Sequence, residues 1–316
     1  MKKTIALLLA ILMLGLGTAA AQAAPYQVGI CQLVAHPALD LATQGFMDAL
    51  TAELGEENVQ FNLQNAAGDS VTCATIMNTF VNDEVDLIMA NATPALLAAY
   101  SATADIPILG TSITEYGVAL GLDDFEGTVG GNVSGTSDLA PLDQQAAMIK
   151  ELFPEAKKVG LLYCSAEPNS IYQVETVKGY LEEMGYECEF YAFADSNDVY
   201  AVTQVAADNS DVIYLPTDNT VAANTEIIYN VLIPAGVPAV AGEEGICSGC
   251  GVATLSISYY DLGVMTGKMA AQVLKGEADI STMPIAYVEN FTPKYNVEIC
   301  QELNVTVPEN YLPIEN

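Results

Sequence analysis

From Gln27 onward the chain alternates between short apolar runs and longer stretches in which apolar residues return every three or four positions. Gln27–Val34 reads as a buried strand, and Leu39, Ala42, Phe46, Ala49 and Leu50 then fall at helical spacing. Val59–Leu63 predicts a second strand and Ser70–Asn82 a helix. Val85–Ala90 predicts a third strand, with a helix opening at Thr93-Pro94, where proline suits the first turn. Ile106–Gly110 is the fourth strand. Strands spaced by helix-length segments predict right-handed βαβ crossovers and a parallel sheet.

The pattern then restarts after a glycine-rich passage, Gly127–Val133, read as a crossing between two lobes. Leu142, Ala146, Ile149 and Leu152 mark a helix, Lys158–Tyr163 a strand, and Ile171, Val174, Val177, Leu181 and Met184 another helix. Strands at Glu187–Phe193 and Val212–Leu215 flank a helix near Asp198–Ala207. A helix over Thr220–Leu232 and strands at Val237–Ala241 and Gly251–Ser256 complete a second sheet. A helix from Tyr259 to Leu274, followed by a strand-like Ile285–Phe291, is placed to cross back and pack on the first lobe, with the tail returning towards the second. The predicted fold class is α/β, with two doubly wound parallel-sheet lobes joined by a multi-crossing hinge. The expected division is 24–130 with 257–288 for the first lobe and 131–256 with 289–316 for the second.

Residues 1–23 read as an export signal: Lys2 and Lys3, an apolar run from Ile5 to Leu16, then a small-residue tail ending Ala21-Gln22-Ala23. No cysteine stands at the cleavage point for lipid attachment, and no segment of the mature chain is apolar for long enough to span a bilayer. The expectation is a monomeric protein, periplasmic or extracellular. The remaining length of about 290 residues suits two lobes better than one core. With 40 Asp plus Glu against 9 Lys and no Arg, the chain would repel phosphate backbones, which excludes nucleic acid as a partner. The missing arginine also shapes the ligand chemistry. A ligand carboxylate would have to be held by backbone N–H groups at helix starts and by Ser or Thr hydroxyls.

The seven cysteines permit up to three disulfides. Cys247 and Cys250, read as lying in a glycine-flanked turn, are taken first as a local disulfide, with free thiols, metal binding or redox chemistry as the other readings. His36 is the single histidine and lies far upstream, so neither a metal site nor a cofactor is expected.

Polar tips follow the predicted strands, where an open α/β sheet places its ligands. In the first half they are Gln32–Asp40 with Gln32 and His36, then Thr93, then Ser112 and Thr114. In the second they are Ser134, Thr136 and Ser137, then Ser165, Glu167, Asn169 and Ser170, then Thr217, Asp218 and Asn219, then Glu243. Two such walls imply a cleft that takes a small zwitterion. Asp218 is the first candidate for its ammonium and Glu243 the second, although Asp218 is equally placed to cap the helix after it. The Ser and Thr hydroxyls serve either a ligand carboxylate or a helix cap. Phe46, Tyr116 and Tyr172 are the nearest flat faces for an aromatic ligand, with Phe46 better explained as core. Asp218 with Glu243 as a hydrolase, or Cys247 with Cys250 as a thiol oxidoreductase, makes an exported enzyme the rival, and a ligand-presenting sensor subunit a third reading.

Taken in order, His36–Asp40, Asn65–Ser70, Ala92–Ala95, Asn132–Asp138, Ser165–Ser170, Pro216–Val221, Gly242–Gly245 and Tyr259–Gly263 resemble the ABC-transporter substrate-binding proteins of the aromatic amino-acid (tryptophan and phenylalanine) type. The resemblance implies a type I periplasmic-binding-protein fold that closes on its ligand and presents it to an ABC permease. Cys164, Cys247 and Cys250 depart from the family's usual pattern.

Overall fold

The computed structural model describes residues 24–314; the expected export signal lies outside the described residues. The first sheet contains β1 (Tyr26–Gln32), β2 (Val59–Asn65), β3 (Leu87–Asn91), β4 (Ile108–Ile113), β5 (Val133–Ser137) and β11 (Ala286–Tyr287). Its order is β11-β5-β4-β3-β1-β2, and all pairs are parallel. Helices α1 (Pro37–Leu54), α2 (Ser70–Asn82), α3 (Thr93–Ala102) and α4 (Tyr116–Leu120) follow the first four strands in turn. Every residue of β3, β4 and β5 is buried, which is why these strands read as unbroken runs, while edge strand β2 is half exposed.

The second lobe repeats the plan with α5 (Leu142–Leu152), β6 (Lys158–Cys164), α6 (Pro168–Glu183), β7 (Glu187–Phe193), α7 (Val199–Asn209), β8 (Val212–Leu215), α8 (Asn219–Ala222), α9 (Thr225–Ala235), β9 (Ala239–Ala241), α10 (Glu244–Cys250) and β10 (Ala253–Ser256). Its sheet is completed by β12 (Thr292–Tyr295) and β13 (Leu312–Pro313), with α12 (Val297–Glu302) between them. The order is β13-β12-β10-β9-β8-β6-β7, with β12 antiparallel to β10.

Helix α11 (Tyr259–Leu274) returns to the first lobe and lies against α1. The two backbones approach so closely that a Cβ on Gly263 would fall on the Ala42 carbonyl oxygen, and one on Gly45 on that of Tyr260. Only glycine permits that approach. The chain therefore passes between the sheets at 138–141, 257–258 and 288–291.

Four local expectations change. Gly127–Val133 is not a crossing: Gly130 and Gly131 take positive φ in a tight turn that feeds β5, which pairs with β4 inside the first sheet. The helix expected over Thr220–Leu232 is two helices, broken where the Asn224 side chain donates to the Thr220 carbonyl at 2.7 Å. The strand expected over Ile285–Phe291 shortens to Ala286–Tyr287. Cys247 and Cys250 lie on α10, not in a turn, and all seven thiols are free, so the local disulfide is not formed. Both are buried in the second core, and burial raises their pKa values, which suits packing and disfavours thiolate chemistry.

Candidate functional site

The carboxyl ends of both sheets face one cleft, and the lobes are closed over it. Between them lies a narrow cavity walled by residues of both lobes. Of the residues expected from sequence, His36, Ser112, Thr114, Asn169, Thr217, Asp218, Asn219 and Glu243 line it. Asp138 and Tyr259 line it too, with Ala38, Leu39 and Ala222 supplying apolar wall.

Buried polar atoms in folded proteins almost always have a hydrogen-bond partner. Among the described residues the side-chain atoms that lack one are His36 Nδ1, Asn91 Oδ1, Ser112 Oγ, Asp138 Oδ1, Asn169 Oδ1 and Thr254 Oγ1. Four of these, on His36, Ser112, Asp138 and Asn169, belong to residues of this one cavity. Two are carbonyl or carboxylate oxygens, one is a ring nitrogen and the fourth is a hydroxyl. Ser112 is also strained, with a φ of 56° at an irregularity between β4 and β5.

Helix starts complete the wall. His36 is the N-cap of α1 but makes no side-chain capping bond, so Ala38 and Leu39 bring uncapped N–H groups to the cavity. The cavity-facing starts of α8 and α10 are different. Asp218 accepts from the backbone N–H of Val221 at 2.8 Å and of Cys164 at 2.7 Å, and Glu243 accepts from Gly245 at 2.6 Å and Ile246 at 2.5 Å. Both carboxyl groups serve the backbone, so capping describes Asp218 better than a bare ammonium site does. Asp138 is the carboxyl group with an oxygen to spare: Oδ2 accepts from the Tyr259 hydroxyl at 2.8 Å, the Thr114 hydroxyl lies near the group, and Oδ1 has no well-aligned partner. Burial raises the pKa of all three, to about 8 for Asp218 and about 7 for Glu243.

The other expected residues do not line this cavity. Gln32 donates to Val34 O and Asp40 Oδ1 and accepts from Thr43, tying β1 to α1. Ser134 donates to Met283 O, Thr136 bonds Thr111 and Thr266, and Ser137 donates to Thr114 O. These hydroxyls sit inside a buried strand and secure β5 to its neighbours. Ser165 is exposed and donates to Phe193 O. Ser170 accepts from Asn169 Nδ2. Thr93 is buried in the first turn of α3. Glu167 accepts from Thr220 N and Oγ1, Asn219 N and Nδ2, and Asn169 Nδ2, which holds the turn after β8. Phe46 packs in the first core beside Phe61. Tyr116 is core as well, its hydroxyl donating to Thr136 O, and Tyr172 packs against the second lobe's core, so the aromatic side chain of the cavity wall is that of Tyr259. Its sequence signal was present in the Tyr259–Gly263 motif, and that of Asp138 in the tip it ends.

Comparison with known proteins gives a consistent picture. A family profile described as ABC transporter substrate binding protein matches residues 27–314. A tyrosine-binding protein of Clostridioides difficile (strain R20291) is 37% identical over 264 residues, covering 83% of this chain and 76% of that one. The crystal structure of an ABC domain in complex with L-Trp from Streptococcus pneumoniae superposes with a TM-score of 0.87 at 34% identity, covering 92% of this chain and 100% of that one. A ligand-free, open structure of a substrate-binding protein with adhesive properties from Clostridium difficile gives 0.69 at 36% identity, covering 92% and 99%. With two mostly parallel sheets, three crossings and a cavity between the lobes, the chain has the type I periplasmic-binding fold and belongs to the ABC transporter substrate-binding proteins.

Proposed function

We propose that this protein captures a free aromatic amino acid between its lobes by hinge closure and presents it to an ABC permease. The observation that carries the reading is the gathering of unpartnered acceptors and a hydroxyl in one closed cavity. Asp138 Oδ1, Asn169 Oδ1 and His36 Nδ1 match the three hydrogens of a primary ammonium, and Asp138 supplies the opposite charge. The N–H groups of Ala38 and Leu39, with the Ser112 hydroxyl, take the carboxylate, as a chain without arginine requires. Ala38, Leu39, Ala222 and the Tyr259 ring receive the side chain. An aromatic side chain is supported by the tyrosine-binding relative and the L-Trp complex. Closure is supported by the better superposition on the L-Trp complex than on the open structure at nearly equal identity. Export is supported by the Lys2-Lys3 leader read from the sequence and by the family match; no helix among the described residues is long and apolar enough to cross a membrane. The proposal includes no covalent chemistry, since Asp218 and Glu243 each hold a helix start.

Calorimetry with L-tyrosine, L-tryptophan and L-phenylalanine tests this, set beside tyramine, which lacks the carboxylate, and 3-(4-hydroxyphenyl)propanoate, which lacks the ammonium. At least one amino acid should bind, and its own analogues without carboxylate or ammonium (tyramine and 3-(4-hydroxyphenyl)propanoate for L-tyrosine, tryptamine and indole-3-propanoate for L-tryptophan, phenethylamine and 3-phenylpropanoate for L-phenylalanine) should bind about a hundredfold more weakly, since each leaves buried charged or polar partners unmatched. Equal binding of the analogues would refute the assignment.

The buried carboxyl groups add a pH dependence. Their pKa values are raised on folding, so the closed form holds protons that the unfolded chain has released. The stability they contribute is present below the usual carboxylate range and lost as pH rises through about 7 to 8. An ammonium favours the ionised forms, so ligand binding releases protons and strengthens over the same window. The rise in Tm produced by a saturating amino acid should therefore be larger at pH 8 than at pH 5, as read by thermal denaturation; a larger rise at pH 5 would contradict the charge assignment.

A further inference from the structure

We infer that Glu167 is a positioning residue for the ligand site: acting through Asn219, it determines which ring nitrogen of His36 carries the proton and so presents His36 Nδ1 to the cavity as an acceptor. The inference rests on the reading of the cavity as an amino-acid site.

The chain of contacts leaves little freedom. Glu167 Oε1 accepts from Thr220 N at 2.9 Å and Thr220 Oγ1 at 2.8 Å, and Oε2 accepts from Asn219 N at 3.0 Å and Asn219 Nδ2 at 2.7 Å. A carboxylate has no proton to give, so the Asn219 amide must turn its NH₂ toward Glu167. That leaves Asn219 Oδ1 facing His36 Nε2 at 3.3 Å. A carbonyl oxygen only accepts, so Nε2 must carry the hydrogen. Burial lowers the His36 pKa, against smaller opposing contributions from Asn219, Glu167 and Asp40, so the ring is neutral and carries one N–H. With that N–H spent on Asn219, Nδ1 keeps a bare lone pair, and it is one of the buried atoms without a partner. Had Asn219 been turned the other way, Nδ1 would present a donor to the ligand ammonium and oppose it.

The relay also crosses the cleft. His36 leads into α1 of the first lobe, and Asn219 opens α8 of the second. Asn219 lines both the cavity and the outer groove bordered by Val34, Pro94, Ala166 and Asn224, so the His36–Asn219 pair forms part of the wall between them. The acceptor is thus set by a contact that joins the two lobes.

The single histidine makes the test direct. The protein is labelled with ¹⁵N in histidine and saturated with L-tyrosine, binding being verified by calorimetry, and the imidazole nitrogens are read by long-range ¹H–¹⁵N correlation. Wild type should show Nε2 protonated and Nδ1 bare. Asn219→Ala and Glu167→Gln should each give a mixture of tautomers. Asn219→Ala should also lower affinity for L-tyrosine about tenfold more than it lowers that for 3-(4-hydroxyphenyl)propanoate, because only the ammonium uses the acceptor. A protonated Nδ1 in liganded wild type, or a wild-type tautomer in both variants, overturns the relay and leaves the amino-acid reading standing. Failure of the wild type to bind any of L-tyrosine, L-tryptophan and L-phenylalanine removes that reading, and the relay with it.

Discussion

Asp138→Asn is expected to weaken amino-acid binding by at least about a hundredfold, since leaving a buried ammonium without its counter-charge costs about 3 kcal/mol or more. Asn keeps the size of the side chain and an oxygen for the Tyr259 hydroxyl, so the connection between the crossings at 138–141 and 257–258 survives and the loss is confined to charge. Asp218→Asn provides the contrast. Its carboxyl group accepts from two backbone N–H groups that hold β6 and α8 together, so this variant should melt earlier and lose less affinity than Asp138→Asn. Calorimetry and thermal denaturation on the two variants separate the roles. Normal binding by Asp138→Asn would remove it from the site.

Gly263→Ala is expected to destabilise the protein by about 3 kcal/mol, the upper end for overpacking, because the added methyl meets backbone and not a movable side chain. The Ala42 carbonyl oxygen lies where the new Cβ would go, so α1 and α11 must separate. Phe46 and Leu50 of α1 and Ala270 and Ala271 of α11 share one buried cluster, which would open with them. The start of α1 carries His36, Ala38 and Leu39, so the same change should weaken ligand binding by displacing the N–H groups assigned to the carboxylate. Chemical denaturation and calorimetry read the two effects. A wild-type melting profile would show that the helix contact is looser than described.

Much of the fold was legible because central parallel strands are buried on both faces. The unbroken apolar runs at Leu87–Ala90 and Val212–Leu215 have no other economical explanation, and the spacing of Leu262, Thr266 and Ala270 marks the buried face of α11. The tail was less legible, because β12 is short, contains Pro293 and pairs antiparallel at a sheet margin, leaving no alternation to read. At the site, polarity after a strand located the cleft but not the direction of each side chain. Ser134, Thr136 and Ser137 look like a polar tip yet lie within β5, where their hydroxyls bond neighbouring segments. Asp138, one residue further on, reaches the cavity because the strand has ended and the chain has begun to cross. Glu167 is polar for the sake of five donors from Asn169, Asn219 and Thr220, and nothing local to Glu167 shows that they will be there.

The most direct test is a crystal structure of the protein grown with the amino acid that binds most tightly in calorimetry. The account predicts that ligand in the interlobe cavity, its amino group within hydrogen-bond distance of Asp138 Oδ1 and its carboxylate at the Ala38 and Leu39 N–H groups. Density for the ligand in the outer groove beside Pro94 and Asn224, or with its amino group turned away from Asp138, would contradict it.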